Sequence, residues 1–132
     1  MKDAVHDIEK APAKDLVAAQ HIVVASNTIH ATTHMIKSLE NTRQFLRPNR
    51  FLMMLEMTET LSWVDIIFGL FEGWWLFKDG RNHAIAHESR WEETLHSVGY
   101  GHVDWTDGYL PRLLFRDCSS PLVRVHRRIA SH

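Results

Sequence analysis

The sequence predicts an α/β fold built on a parallel sheet, and three observations predict it. Two short apolar runs, His21 to Ala25 and Phe51 to Leu55, have the length and composition of buried strands. Between them Met35, Ile36, Leu39, Thr42, Arg43 and Leu46 recur at helical spacing, and Arg47-Pro48-Asn49 stops the helix and turns the chain. A strand, a helix and a second strand make a unit whose strands lie parallel with a right-handed crossover.

The remaining elements follow in order. Ala4 to Ile8 reads as a short strand, and Glu9 to Asp15, with Pro12, as a connection. Trp63 to Trp75 is aromatic, but Gly69 and Gly73 are poor in a rigid helix, so a short helix and then a loop are expected. Lys78 to Asn82 is a turn. Glu88 to Val98 is amphipathic, with Trp91, Leu95 and Val98 on one face, Ser89 as its cap and Gly99 at its end. Tyr100 to Trp105 alternates as a strand does, Asp107-Gly108 turns the chain, and Leu113 to Phe115 and Pro121 to Ile129 follow. The last strands are expected to close as an antiparallel hairpin, making the sheet mixed.

A chain of 132 residues with 45% hydrophobic residues is expected to form a single domain over 1–132. A net charge of −1 gives no bulk attraction to nucleic acid or an anionic membrane. The apolar stretch Leu61 to Phe77 is broken by Asp65 and Glu72, so it is not expected to span a bilayer. The first residues lack the apolar core of a signal peptide, and the one cysteine, Cys118, fits a reducing compartment. A cytoplasmic protein is the expectation.

In open α/β sheets, ligands sit just past the C-terminal ends of the strands. His30, in the polar loop after the first strand, and Glu56, at the end of the second, fall on such adjacent ends. A base with a pKa near neutrality, held in one tautomer by a carboxylate, is a working catalytic pair. Ser26 and Asn27 are placed to donate hydrogen bonds to a substrate carbonyl, or simply to turn the chain. Trp63, Phe68, Phe71, Trp74 and Trp75 are candidates for lining an apolar pocket, against the plainer reading of core or lid packing. His83 with His87, and His30 with His34, have helical i, i+4 spacing but lack the HExxH pattern, so no metal is expected. Arg124, Arg127 and Arg128 read as the wet face of a strand, or as a contact for an acidic partner.

Several segments together resemble one family. VASNTIHAT, FLMMLEMT, FGLFEGWWLFKDGR, HESRWEETLHSVGYGHVDWTDG and LVRVHRRIA are collinear with the C-methyltransferase domain of fungal iterative polyketide synthases, from about Asp7 to Ile129. The resemblance implies a Rossmann-like class I methyltransferase half, truncated before its third strand, with DIEKAP at Asp7 to Pro12 near the adenine of the cofactor. It also implies that His30 is the base acting on the acidic carbon of a β-keto thioester and that Glu56 orients it. The family's Gly-rich S-adenosylmethionine loop has no counterpart. Gly69, Gly73, Gly80, Gly99, Gly101 and Gly108 form no strand-to-helix glycine turn.

A base without a methyl donor suggests ring closure. The expectation is therefore a stand-alone polyketide cyclase, independent of any cofactor, that enolises a poly-β-keto thioester and promotes pyrone formation. The alternatives are a non-catalytic pseudo-methyltransferase scaffold for a polyketide synthase and a C-methyltransferase half completed by another chain. The expected partners are a polyketide intermediate, free or carrier-bound, a synthase, and a second copy of the chain covering the strand edge left open by the missing half. His30 and Glu56 are both expected in an open cleft, so that replacing either leaves the fold intact.

Overall fold

The structure, a computed structural model, describes residues 5–106 and 122–127, with side chains through Trp105. Strand β1 (Gln20–Ser26) is followed by a 3-10 turn (Ile29–Ala31), helix α1 (Met35–Phe45) and strand β2 (Leu46–Glu56). Helix α2 (Ser62–Phe68), a second 3-10 turn (Glu72–Trp75), helix α3 (Glu88–Ser97), strand β3 (His102–Thr106) and strand β4 (Leu122–Arg127) complete the order. The sheet has four strands in the order β1-β2-β4-β3.

The α/β half-fold expected from sequence is present, with one correction. Strand β4 pairs parallel with β2 and parallel with β3, so the expected antiparallel hairpin does not form. The physical reason lies in the spacing. β3 ends at Thr106 and β4 starts at Leu122, which leaves a connection long enough for a crossover rather than a tight turn. The turn expected at Asp107-Gly108, the strand at Leu113 to Phe115, Cys118 and Arg128 lie outside the described residues, as do the side chains of Arg124 and Arg127. The strand expected at Ala4 to Ile8 is also absent: Val5 to Ile8 is irregular, and Ala4 lies outside the described residues.

β2 is longer than the run Phe51 to Leu55 because the Arg47-Pro48-Asn49 turn is absorbed into it as an irregularity. Gln20 pairs with Leu46, whereas Ile22 pairs with Phe51, and Asn49 takes a left-handed φ of 58° in between. From Ile22 on the register is regular and sets the two faces of the sheet. Val23 opposite Leu52 and Ala25 opposite Met54 face the helices. There Leu39 of α1 and Trp91 and Leu95 of α3 join Leu52 and Met54 in one fully buried cluster. Five such side chains are each worth about 1.5–3 kcal/mol in removal from water, which is what keeps two short helices on the sheet.

The opposite face is different. Ile22 and Val24 of β1 are 49% and 67% exposed, and Met53 of β2, beside Val24, is 38% exposed. Parallel sheets normally carry a layer on both faces. Helix α3 is capped by His87, whose ring nitrogen accepts from the Ser89 amide at 3.4 Å, rather than by Ser89 itself. Gly99, at φ 91°, ends it as the sequence suggested. No helix among the described residues is long and apolar enough to cross a membrane.

Candidate active site

Asn27 opens the site. It follows β1 with a left-handed φ of 46°, donates its amide to Leu55 O at 2.7 Å, and so turns the chain over the end of β2. The next residues form the 3-10 turn that carries His30. That turn has no side-chain cap of its own. Glu56 supplies one from the neighbouring strand: its Oε1 accepts from the amides of Thr28 at 3.0 Å and Ile29 at 2.9 Å. Its Oε2 lies 2.5 Å from His30 Nδ1. Glu56 is 1% exposed and His30 is 6% exposed. A buried carboxylate is tolerated when its lone pairs are met, and here three donors meet them.

The pairing fixes the chemistry of the imidazole. With Nδ1–H donated to Glu56, the Nε2 lone pair is the free acceptor. No described residue meets Nε2, and His30 lines a cavity of about 800 Å³. Asn27, Trp63, Phe68 and Trp74 line it too, as do Ile67 and Phe71. Trp74 stands edge-on to His30, ring centroids 5.7 Å apart, and stacks on Phe68 at 5.4 Å. Its indole N–H reaches Asp65 Oδ1 at 3.3 Å. Asp65 also accepts from His83 Nε2 at 2.9 Å, while His83 Nδ1 takes the amide of Ile85 at 3.0 Å. Both His83 nitrogens are therefore committed to holding the cavity wall.

Two of the sequence candidates do not join this cavity. Ser26 pairs with Leu55 as the last residue of β1 and offers its carbonyl to the Thr28 hydroxyl. Trp75 points its indole N–H to Gly69 O at 2.9 Å, and its ring does not line the cavity. Phe71, weighed with the other aromatics in the sequence, does line it, and Ile67 joins without having been anticipated. The open-cleft expectation also needs correction, since Glu56 is buried in the sheet end and tied to two backbone amides.

The start of α1 offers no glycine-rich turn. The loop between β1 and α1 contains no glycine, and the first amide of α1, that of Met35, is taken by Asp79 Oδ2 at 2.8 Å. That amide is therefore not free to meet an anion. Asp7, in the segment that the resemblance places near the adenine, accepts from the amide of Glu9 at 3.0 Å and pairs with Lys10 at 3.3 Å.

A parallel α/β half-sheet with a buried His–Glu pair facing an apolar cavity defines a methyltransferase-like half-fold, and the comparisons with known proteins agree. The CMeT domain of the citrinin polyketide synthase superposes with a TM-score of 0.79 at 54% identity, over 84% of this chain and 29% of that one. The trans-methyltransferase CalH, solved in complex with SAH, superposes with a TM-score of 0.67 at 35% identity over 71% of this chain and 27% of that one. The non-reducing polyketide synthase tazA of Aspergillus terreus is 66% identical over 110 residues, which is 83% of this chain and 4% of that synthase. The 3-methylorcinaldehyde synthase of a Phoma species is 64% identical over 111 residues, 84% of this chain and again 4% of the relative. No family model matches. The chain is thus similar to part of the C-methyltransferase domain of fungal polyketide synthases, and it spans about 4% of the length of those synthases.

These likenesses overturn the stand-alone cyclase, and with it pyrone formation as the outcome. Solved structures similar to this chain are carbon methyltransferases rather than cyclases. The enolate argued from His30 and Glu56 does not require ring closure.

Proposed function

We propose that these residues are the base-bearing portion of a polyketide C-methyltransferase. His30 Nε2 removes a proton from the carbon between the two carbonyls of a β-keto thioester, and Glu56 keeps the ring in the tautomer that can do so. The apolar cavity takes the acyl chain, with Trp74 and Phe68 as its floor and Asn27 at its mouth as a hydrogen-bond donor to a carbonyl oxygen. The resulting carbanion is the nucleophile for a methyl donor held by residues other than these. The single observation that carries the reading is the His30 Nδ1–Glu56 Oε2 bond of 2.5 Å on a ring that lines an apolar cavity.

The uncovered face of β1 supports the second half of the reading. Ile22, Val24 and Met53 form an exposed apolar patch on one face of a parallel sheet, running from its edge strand β1 onto β2. The cofactor-binding portion of such a domain, on the same polypeptide or on another, would cover it, within or beside a polyketide synthase. A second copy of this chain is the other candidate for that face, and a homodimer is the form it would take.

A chimera tests the proposal. The matching segment of the citrinin synthase domain is replaced by this chain, and methyl transfer to a β-keto thioester is followed by mass spectrometry. The chimera should methylate, and its His30→Gln version should not. A folded chimera that binds the cofactor yet methylates nothing counts against the reading.

A further inference from the structure

The turn that carries His30 has little structure of its own. Residues 28–34 form a three-residue 3-10 turn and an irregular lead into α1, and Glu56 meets only the amide side. The carbonyl side is met from the Lys78–Arg81 turn. The Arg81 side chain is 3% exposed. Its Nη1 donates to His30 O at 2.9 Å and its Nη2 to Thr32 O at 2.6 Å. Its Nε donates to Asp79 Oδ1 at 2.7 Å, and Asp79 Oδ2 takes the Met35 amide at 2.8 Å. The Lys78 amide adds a bond to Thr33 O at 2.8 Å. Gly80, at φ 78°, lets the turn double back so that Asp79 and Arg81 face the same loop. The face of Phe77 closes the other side of the guanidinium, 5.4 Å from its centroid.

We infer that Arg81 is a positioning residue for the His30–Glu56 pair: it grips the His30 turn by its carbonyls while Glu56 grips the same turn by its amides. This rests on the reading of His30 as the base. The guanidinium suits the task because it is a planar fork with several donors in fixed directions, which an ammonium cannot reproduce. It makes no contact with the cavity. Its effect is on where the imidazole points. Displacing a catalytic group by about 1 Å costs a rate on the order of 10²-fold, so loss of the two guanidinium bonds nearest the imidazole is a serious one.

The test uses the chain labelled with ¹³C and ¹⁵N at histidine, as wild type, Arg81→Lys and Asp79→Asn. The His30 signals are assigned by their loss in His30→Gln. Wild type should show a single Nδ1-protonated tautomer and a far-downfield, exchange-protected Nδ1 proton. In Arg81→Lys, which keeps the charge but not the fork, cooperative unfolding should persist while that proton broadens away and the tautomers mix. Deuterium exchange into a β-keto thioester should then fall by about 10²-fold in kcat, with KM little changed. A folded Arg81→Lys with the wild-type His30 signals overturns the inference. Should Arg81→Lys fail to fold, Asp79→Asn, which keeps Arg81 but frees its anchor, is judged by the same criterion. Failure of both to fold makes the clamp structural and also overturns it. Should wild type show no exchange, the reading of His30 as the base falls, and the resonances still decide the positioning.

Discussion

Glu56 Oε2 lies 2.5 Å from His30 Nδ1, across the gap between the ends of two parallel strands. The other oxygen of the same carboxylate caps the turn on which His30 rides. One side chain therefore sets the backbone position, the ring orientation and the tautomer of the proposed base.

Glu56→Gln should consequently cost both stability and tautomer. An amide keeps an acceptor for Thr28 and Ile29 but presents N–H to His30, which forces the proton from Nδ1 to Nε2. Leaving one of these buried groups mispaired costs about 1–3 kcal/mol. Urea unfolding should show that loss, and histidine ¹⁵N spectra should show Nε2-protonated His30. An unchanged midpoint with an unchanged tautomer would mean that the carboxylate is not what holds the ring.

Asp79 gives a prediction with pH. Burial pushes its pKa up, but the Met35 amide and the Arg81 guanidinium more than offset this and hold it below the ordinary carboxylate value. A depressed folded value means that the stabilisation is complete above the unfolded pKa, about 3.9, and is lost as pH falls through the folded value. The stability gap between wild type and Asp79→Asn should therefore be largest at neutral pH and shrink below about pH 4. Denaturant melts across that range measure it. A gap independent of pH would remove the charge from the account.

Much of this was legible in the sequence. The strand from His21 and the helix from Met35 carried local periodicity that nothing later overrode, and Gly99 stopped α3 where a left-handed residue was needed. His30 and Glu56 were legible because position at a strand end is a local property. The sense of β4 was not, because pairing direction depends on the path of the connection rather than on the strand. Arg81 read as part of a plain turn, since its contact with His30 spans 51 positions and leaves no local signal. That Phe71 and not Trp75 borders the cavity likewise left no local signal.

Gly99→Ala should destabilise the chain by about 1–2 kcal/mol, the cost of a side chain in the left-handed region. The added Cβ would also meet the Arg43 guanidinium at 3.1 Å. Thermal unfolding measures it, and a neutral result would mean that the helix end relaxes without a glycine.

Phe71→Ser should separate binding from chemistry. Phe71 lines the cavity yet is 62% exposed, so its loss should leave thermal stability almost unchanged. It should raise KM for long-chain β-keto thioesters by about tenfold, the worth of a few buried methylenes, and leave short ones alone. Equal effects on long and short substrates would place the acyl chain elsewhere.

The central claim is that His30 is a base held ready by Glu56. The direct measurement is deuterium uptake from D₂O at the carbon between the carbonyls of a β-keto thioester, with no methyl donor present. Wild type should accelerate uptake over buffer, His30→Gln should lose about 10²–10⁴-fold of that acceleration, and the surface variant Lys37→Ala should match wild type. Equal uptake with wild type and with a folded His30→Gln would contradict the account.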